Sequence, residues 1–519
     1  MVRIKEYTMT ADTGLNGGEL PAYDAASGEN AAGGGKSAIE ACEAQSSAAG
    51  GGKSVMVAMS GGVDSSVSLL MLKQAGYQCM GITMKLVEEN EESRDIADAR
   101  KVAESLDVPF RVVDLCEMFR DKVIEPFACA YERGETPNPC VYCNKEIKFG
   151  YLHELRKELG ADYLATGHYA RIVYSNEDGY FLLKKAADLK KDQSYFLYQL
   201  TQEQLAHTLF PMSDIIKEDA RRLAEEEDII TSRKRESQDI CFVPDGKYAE
   251  VIRRHRLMSA DEYRGPGGDV SSSEDKKSGG YVISSSEDEK PGVDISDGGS
   301  KTTGDTSLRA FEPGEFIDKE GNVLGTHKGI INYTVGQRKG LGLSLKKPGY
   351  ICKIDVKNNR IVIGGNEDLF TREFDVKDVN LISCERLSEY KVRNGASAAE
   401  STSGTGIDTV GGAGSDAGID TVGDAGSDAG CETVGGAGLG TGTDAAARTV
   451  SGTGTDASGI RLNVRIRYNQ KEQPATVIQT APDMLHVIYD VPQRAITSGQ
   501  AAVLYDGDIV VGGGIIVNN

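Results

Sequence analysis

Residues 54–66 read "SVMVAMSGGVDSS". Val55 to Met59 form an apolar run of strand length, Ser60-Gly61-Gly62 interrupts it, and "VSLLMLKQAG" from Val67 resumes with helical spacing and a glycine stop. A strand entering a glycine turn that opens a helix leaves unpaired backbone N–H groups pointing at the turn, and the glycines let an anion approach them. Ala58, Met59, Ser60, Gly61, Gly62, Val63, Asp64 and Ser65 are therefore the candidate loop, of a shape suited to a pyrophosphate. An ordinary strand-to-helix turn, with Asp64 merely facing a helix N-terminus, is the plainer reading of a bare "SGG".

The same alternation extends outward. "YQCMGITMK" predicts a second strand, "RDIADARKVAESLDV" a helix, "FRVVDL" a strand, "KFGYLHELRKELG" a helix and "DYLATGH" a strand. This βαβ order predicts an α/β domain with a parallel sheet and ligands at the carboxyl ends of its strands. Beyond residue 310 the texture changes to short strands with Gly and Asn turns, as in "GYICKIDVKNNRIVIGG" and "LNVRIRYNQKEQPATVIQ", which suits small β domains or a barrel. The 519 residues accordingly divide into an N-terminal extension, 1–53, an α/β domain, 54–245, a middle domain, 246–375, and a C-terminal β-barrel, 376–519.

A net charge of −21, taken as a total, opposes a nucleic-acid partner, but its distribution does not. Residues 1–53 hold seven acids to four bases, 266–308 nine to four, and 396–459 nine to one, so these segments carry −16 and the remainder about −5. All three are too poor in large apolar residues to offset chain entropy, which predicts disorder for the extension and two low-complexity insertions, 266–308 and 396–459. "AAGGGKS" at 31–37 and 48–54 imitates a phosphate-loop ending, yet Asn30 and Ser47 stand where that loop requires glycine. The twelve-residue unit "GIDTVGGAGSDA" in the late insertion decays by its third copy and has the wrong period for a calcium-binding β-roll. Deleting 396–459 is expected to leave activity largely intact, because such a loop buries little; binding and turnover assays of the deletion variant check this.

Ten cysteines over this length, no apolar run near 20 residues and no charged-then-apolar leader in "MVRIKEYTMTADTG" predict a cytoplasmic location without membrane insertion and with reduced thiols. In "TPNPCVYCNKEIKF", 136–149, Cys140 and Cys143 lie three apart. Spacing alone leaves open half a zinc site, a redox pair, or one nucleophile with a neighbour; no second CxxC or histidine pair completes a zinc site. Cys79, Cys116, Cys129, Cys352 and Cys384 lie in apolar patterns typical of core positions.

"AMSGGVDSS" resembles the signature of PP-loop ATP pyrophosphatases, and "TPNPCVYCNKEIKF", "ATGHYAR" at 165–171, "KDQSYFLY" at 191–198, "SQDICFV" at 237–243 and "YTVGQRKGLG" at 333–342 follow in the order found in the tRNA-specific 2-thiouridylase family. The resemblance runs from Ser54 to the C-terminus apart from the two insertions, and implies an adenine nucleotide alpha hydrolase-like domain, ATP and Mg²⁺ as cofactors, and wobble-uridine-containing tRNA as substrate. It further implies a sulfur-donor protein, such as a cysteine desulfurase or a sulfur relay protein, as partner. By motif position Cys143 is the family's nucleophile and Cys241 its persulfide carrier; Asp64 helps arrange Mg²⁺ or phosphates, while Met84 and Gly167 face ATP. Asn138, Pro139 and Cys140 floor the base pocket, and His168, Lys191, Asp192, Gln193, Arg467, Tyr468 and Gln500 contact tRNA. Some family members carry Asp at the Cys140 position, so a thiol there is not obligatory for the shared chemistry. An iron–sulfur cluster held by Cys140, Cys143 and Cys241, and another PP-loop adenylating activity, are the competing readings.

Basic residues Lys328, Arg338 and Lys339 in the middle domain, and Arg465 beside Arg467 and Tyr468, mix phosphate-neutralising charge with a stacking ring.

Overall fold

The first strand of the α/β domain, β2 (Ser54–Ala58), lies at the centre of its sheet because both its faces are apolar and buried. The structure, a computed structural model, describes residues 4–5, 52–87, 93–234, 240–243, 246–263, 309–393 and 459–517. The expected insertions and nearly all of the N-terminal extension lie outside the described residues; from the extension, β1 (Ile4–Lys5) pairs antiparallel at the sheet edge. Strand β2 pairs in parallel with β3 (Gln78–Lys85) on one side and β5 (Tyr163–Thr166) on the other. With β4 (Phe110–Asp114) and β8 (Thr208–Leu209) the order is β1-β4-β3-β2-β5-β8. The chain winds outward through β3 and β4 before crossing to β5, so the switch in direction falls at the carboxyl end of β2.

Helix α1 (Val63–Gln74) starts there and is buried along Val63 and Ser65 to Leu72, between the sheet and later helices. Ser93 caps α2 (Arg94–Ser105) by accepting the Ile96 N–H. Next come α3 (Cys116–Phe119), a π segment (Arg120–Ile124) and α4 (Glu125–Glu132). The proline turn then leads into α5 (Pro139–Tyr142), a π segment (Cys143–Tyr151) and α6 (Leu152–Glu158). Asn138 caps α5 through the Cys140 N–H, and Pro139 fills the first helical position where no N–H is needed.

A hairpin of β6 (Arg171–Ser175) and β7 (Tyr180–Lys184) is followed by α7 (Gln202–Ala206), α8 (Lys217–Glu226) and α9 (Tyr248–Tyr263). The middle domain is a four-stranded sheet, β9 (Gly314–Ile317), β10 (Val323–His327), β11 (Tyr350–Asp355) and β12 (Arg360–Gly364), whose core takes in Phe127 and Tyr131 of α4 and Ile252 of α9.

Six C-terminal strands close into a barrel: β13 (Phe370–Leu381), β14 (Ile460–Arg465), β15 (Gln473–Ala481), β16 (Met484–Arg494), β17 (Ala501–Asp506) and β18 (Ile509–Val517), with β13 pairing to both β16 and β18. All six residues of β17 are buried. Ala502 and Leu504 enter the barrel core, while the alternate residues Ala501, Val503 and Tyr505 join the core of the α/β domain. The β6–β7 hairpin also joins the barrel sheet through β7 and β18. The barrel is therefore welded to the α/β domain through side chains and backbone together.

Candidate active site

The loop after β2 takes the form its glycines require. Gly61 has φ +66°, and a Cβ there would collide with the backbone carbonyl of Asp95. Ser65 Oγ accepts the Ser60 N–H at 3.1 Å and donates to the Gly62 carbonyl at 3.2 Å, so the first turn of α1 folds back on the loop. Met59, at the carboxyl end of the strand, is tied to β3 by its N–H to the Ile82 carbonyl at 2.7 Å and by Thr83 Oγ1 to its own carbonyl at 2.8 Å. Ala58 pairs with Ile82 and with Thr166, and Met84 lies half-buried at the end of β3. Gly167 packs so closely that a Cβ would stand 2.8 Å from Ser65 N.

Sequence reading missed the cations that frame this loop. Lys217, almost wholly buried at the start of α8, donates to both Asp64 oxygens at 2.7 and 2.8 Å, and Tyr169 OH donates to Oδ1 at 2.9 Å. Lys234 donates to the Gly61 carbonyl at 2.9 Å and to Asp95 and Asp98 at 2.7 Å each. Nothing in the sequence separates either lysine from a solvated charge; Tyr169 stood beside His168 in "ATGHYAR" without a role.

The second half of the site is a thiol cluster. Cys143 is buried in the first π turn after α5; solvent reaches Cys140 and Cys241, although protein surrounds both on most sides. Desolvation pushes all three thiols upward, Cys143 to about 12; the Lys148 ammonium opposes this at each one, and Cys241 adds to the repulsion at Cys140 and Cys143. The charge of Cys241 thus acts on Cys143, a residue about a hundred positions earlier. Cys143 and Cys241 are both free thiols. Among the described residues no three His, Cys, Asp or Glu side chains are grouped so as to hold a metal ion.

Cys241 is held by its neighbour. The Phe242 ring meets Phe119 at 5.5 Å and Phe127 at 5.3 Å, both edge-on, and Val243 is buried in the middle-domain core. Each such ring pair contributes about 0.5–1.5 kcal/mol beyond area burial, enough to dock the short Cys241 segment against α3 and α4. The backbone N–H groups of Cys241 and Phe242 also favour the Cys241 thiolate.

The remaining expected residues divide into two groups. His168 follows Gly167 and is tied to Thr166 and Lys148: Nδ1 is 2.7 Å from Thr166 Oγ1, Nε2 is 3.5 Å from Lys148 Nζ, and the ring packs on Phe149 and Phe210. Burial, and then Lys148, hold its pKa well below the ordinary histidine range, so the imidazole is neutral. Asn138 and Pro139 lie beside Cys140 as the start of α5.

Several other side chains are engaged within the protein. Gln193 accepts the Tyr169 N–H at 3.0 Å, and the buried Asp192 accepts from Ser194 Oγ, Ser194 N and Ala186 N, with Arg465 at 3.6 Å. Lys191 N–H bonds the Asp188 carbonyl. Arg467 donates to the Ala495 carbonyl and Thr497 Oγ1, and Tyr468 lies 4.6 Å from the Phe196 ring with the Arg465 guanidinium 5.4 Å away. Gln500 Nε2 donates to the Thr136 carbonyl at 2.6 Å while Thr136 N–H bonds the Ser498 carbonyl, fastening the barrel to the proline turn before Cys140.

No helix among the described residues is long and apolar enough to cross a membrane.

Three family models match: a tRNA methyl transferase HUP domain over residues 53–245, a tRNA methyl transferase PRC-barrel domain over 307–365, and an aminomethyltransferase β-barrel domain over 447–516. The chain is 36% identical to the tRNA-specific 2-thiouridylase MnmA of Clostridioides difficile strain 630, over 89% of this chain and 97% of that one. It is 38% identical to tRNA-specific 2-thiouridylase MnmA 1 of Caldanaerobacter subterraneus subsp. tengcongensis, with the same coverage. A solved U34-tRNA thiolase, NcsA from Methanococcus maripaludis, superposes over 40% of this chain and 71% of that one with a TM-score of 0.26 and 18% identity, too loosely to identify anything further.

Proposed function

The chain belongs to the tRNA-specific 2-thiouridylase family, and from that premise we propose that it uses ATP to activate the 2-position oxygen of a tRNA wobble uridine and a persulfide on Cys241 to replace that oxygen with sulfur. The carrying observation is the physical link between the two halves of the site: Gly167 abuts the head of α1, and His168 beside it reaches Lys148, whose charge acts on all three thiols.

A uracil oxygen is a poor leaving group. When it attacks the α-phosphorus of ATP, an O–P bond forms and pyrophosphate departs, so the oxygen can later leave as part of AMP. The loop Ser60–Ser65 would receive the phosphates through its backbone N–H groups at the start of α1. Asp64, the acid at the head of α1, would hold a Mg²⁺ brought with the nucleotide, and such an ion would neutralise phosphate charge. Lys217 and Tyr169 keep the Asp64 carboxylate oriented.

Sulfur transfer then needs two thiols. The terminal sulfur of the Cys241 persulfide attacks C2 and AMP leaves with the original oxygen. The Cys143 thiolate next attacks the Cys241 Sγ, breaking its bond to the transferred sulfur; a Cys143–Cys241 disulfide forms, and the sulfur stays on C2. An external thiol reduces that disulfide before another turnover, and a persulfide donor recharges Cys241. The target base must leave the anticodon stack to reach Asn138, Pro139 and Cys140. Methyl transfer, the wording of the family descriptions, has no use for a phosphate loop linked to two thiols.

One assay tests the proposal: full-length protein, ATP, Mg²⁺, a persulfide donor and unmodified tRNA, with nucleosides analysed by mass spectrometry. The expected product is 2-thiouridine, formed only with ATP; its absence, or a methylated uridine in its place, overturns the reading.

A further inference from the structure

We infer that Lys148 is a positioning residue for sulfur transfer, its ammonium held by His168 so that its charge supports the thiolates of both Cys143 and Cys241. This deepens the sulfur-transfer reading and rests on it. Cys143 opens the π segment Cys143–Tyr151, and Lys148 lies five residues further along it. In an ordinary α-helix of 3.6 residues per turn, residues five apart point about 140° away from each other. The wider i→i+5 winding of a π segment brings the fifth residue back towards the first. The winding thus turns Lys148 towards the side of the helix that bears Cys143.

The far end of Lys148 is also fixed. Its Nζ lies 3.5 Å from His168 Nε2, whose other nitrogen is 2.7 Å from Thr166 Oγ1. A neutral imidazole cannot donate from both nitrogens. An ammonium has donors only, so Nε2 is the acceptor and Nδ1 carries the hydrogen towards Thr166. Phe149 and Phe210 pack on the ring and prevent it from turning. His168 is therefore a fixed acceptor for the cation.

The charges converging on the thiols complete the argument. Lys148, Cys241 and Cys140 act on Cys143; Lys148 and Cys241 act on Cys140; Lys148 and two backbone N–H groups act on Cys241. Lys148 is the cation common to all three, and desolvation works against the thiolate at each. Because the thiolate is the reactive form, removing this charge moves each titration to higher pH.

The test is alkylation of Cys143 and Cys241 by iodoacetamide in full-length protein between pH 6.5 and 9.5, read peptide by peptide. With Lys148→Met, the rise in rate is expected about one pH unit later at both cysteines, so alkylation at pH 7.5 slows about tenfold. Lys148→Arg, which keeps the charge, is expected within about threefold of wild type. Lys148→Gln serves if the Met variant does not fold, and unchanged thermal unfolding shows that the profile reports charge. Profiles for Met or Gln that overlie wild type, or an Arg variant as slow as Met, overturn the inference. Alkylation needs neither tRNA nor ATP, so failure of the 2-thiouridine assay with intact pH shifts would sink the functional reading and leave the charge effect standing.

Discussion

Cys143→Ser and Cys241→Ser each reduce 2-thiouridine formation by at least about a thousandfold, because a hydroxyl can neither carry the sulfur as a persulfide nor release it by disulfide formation. The double variant is expected to be no worse than either single one, since the two thiols serve one transfer. Cys140→Ser keeps most of the activity, within about tenfold: its side chain lies at the solvent-reached start of α5, and the two-thiol transfer assigns it no bond to make or break. Release of pyrophosphate in the presence of tRNA, with AMP retained on the uridine oxygen, should persist in Cys241→Ser, because the loop of Ser60–Ser65 is intact. Full thiolation by both single variants would sink the persulfide route. Equal losses at all three cysteines would favour a cluster requiring three ligands.

The parts of this architecture that could be read from sequence are those where one local pattern has one physical solution. A buried strand entering two glycines and an apolar helix has few alternatives, and the observed β2, loop and α1 follow "SVMVAMSGGVDSS" closely. The turn in "VKNNRIVIGG" is equally local, with Asn359 at φ +51° between β11 and β12. Strand β17 is a different case. Its continuous apolar run, "AAVLY", signals burial on both faces, but nothing local tells that one face belongs to the barrel and the other to a domain three hundred residues earlier.

Chain order likewise puts the hairpin of residues 171–184 beside β5, whereas its backbone partner is β18. The π winding of "CNKEIKFGY" has no signature of its own, because its apolar spacing is compatible with an α-helix. Lys148, Lys217 and Lys234 remained hidden for the same reason. A lysine in a helix or a loop is ordinarily a solvated charge, and only the fold reveals which ones have a carboxylate, an imidazole or a backbone carbonyl waiting.

Gly61→Ala is expected to lower the rate of tRNA-dependent AMP formation by at least about a hundredfold while leaving the thiol cluster reactive. The left-handed backbone at φ +66° costs an alanine on the order of 1 kcal/mol by itself. That is too little to unfold a domain whose central strand and first helix are largely buried. The larger effect is steric, because the added carbon would occupy the space of the Asp95 backbone carbonyl at the start of α2. Relief requires the loop to move away from α2, and Lys234, which binds the Gly61 carbonyl together with Asp95 and Asp98, loses part of its set of acceptors as it does so.

A shift of about 1 Å in backbone N–H groups aimed at phosphate is enough to cost two orders of magnitude in a reaction that depends on their alignment. Calorimetric ATP binding and pyrophosphate release measure the loss; iodoacetamide alkylation of Cys143 at fixed pH measures what should survive. If pyrophosphate release by Gly61→Ala matches wild type, the loop is not the nucleotide cradle. If both nucleotide binding and thiol reactivity collapse together, the loop and the cysteines form one cooperative unit and the two halves of the site cannot be addressed separately.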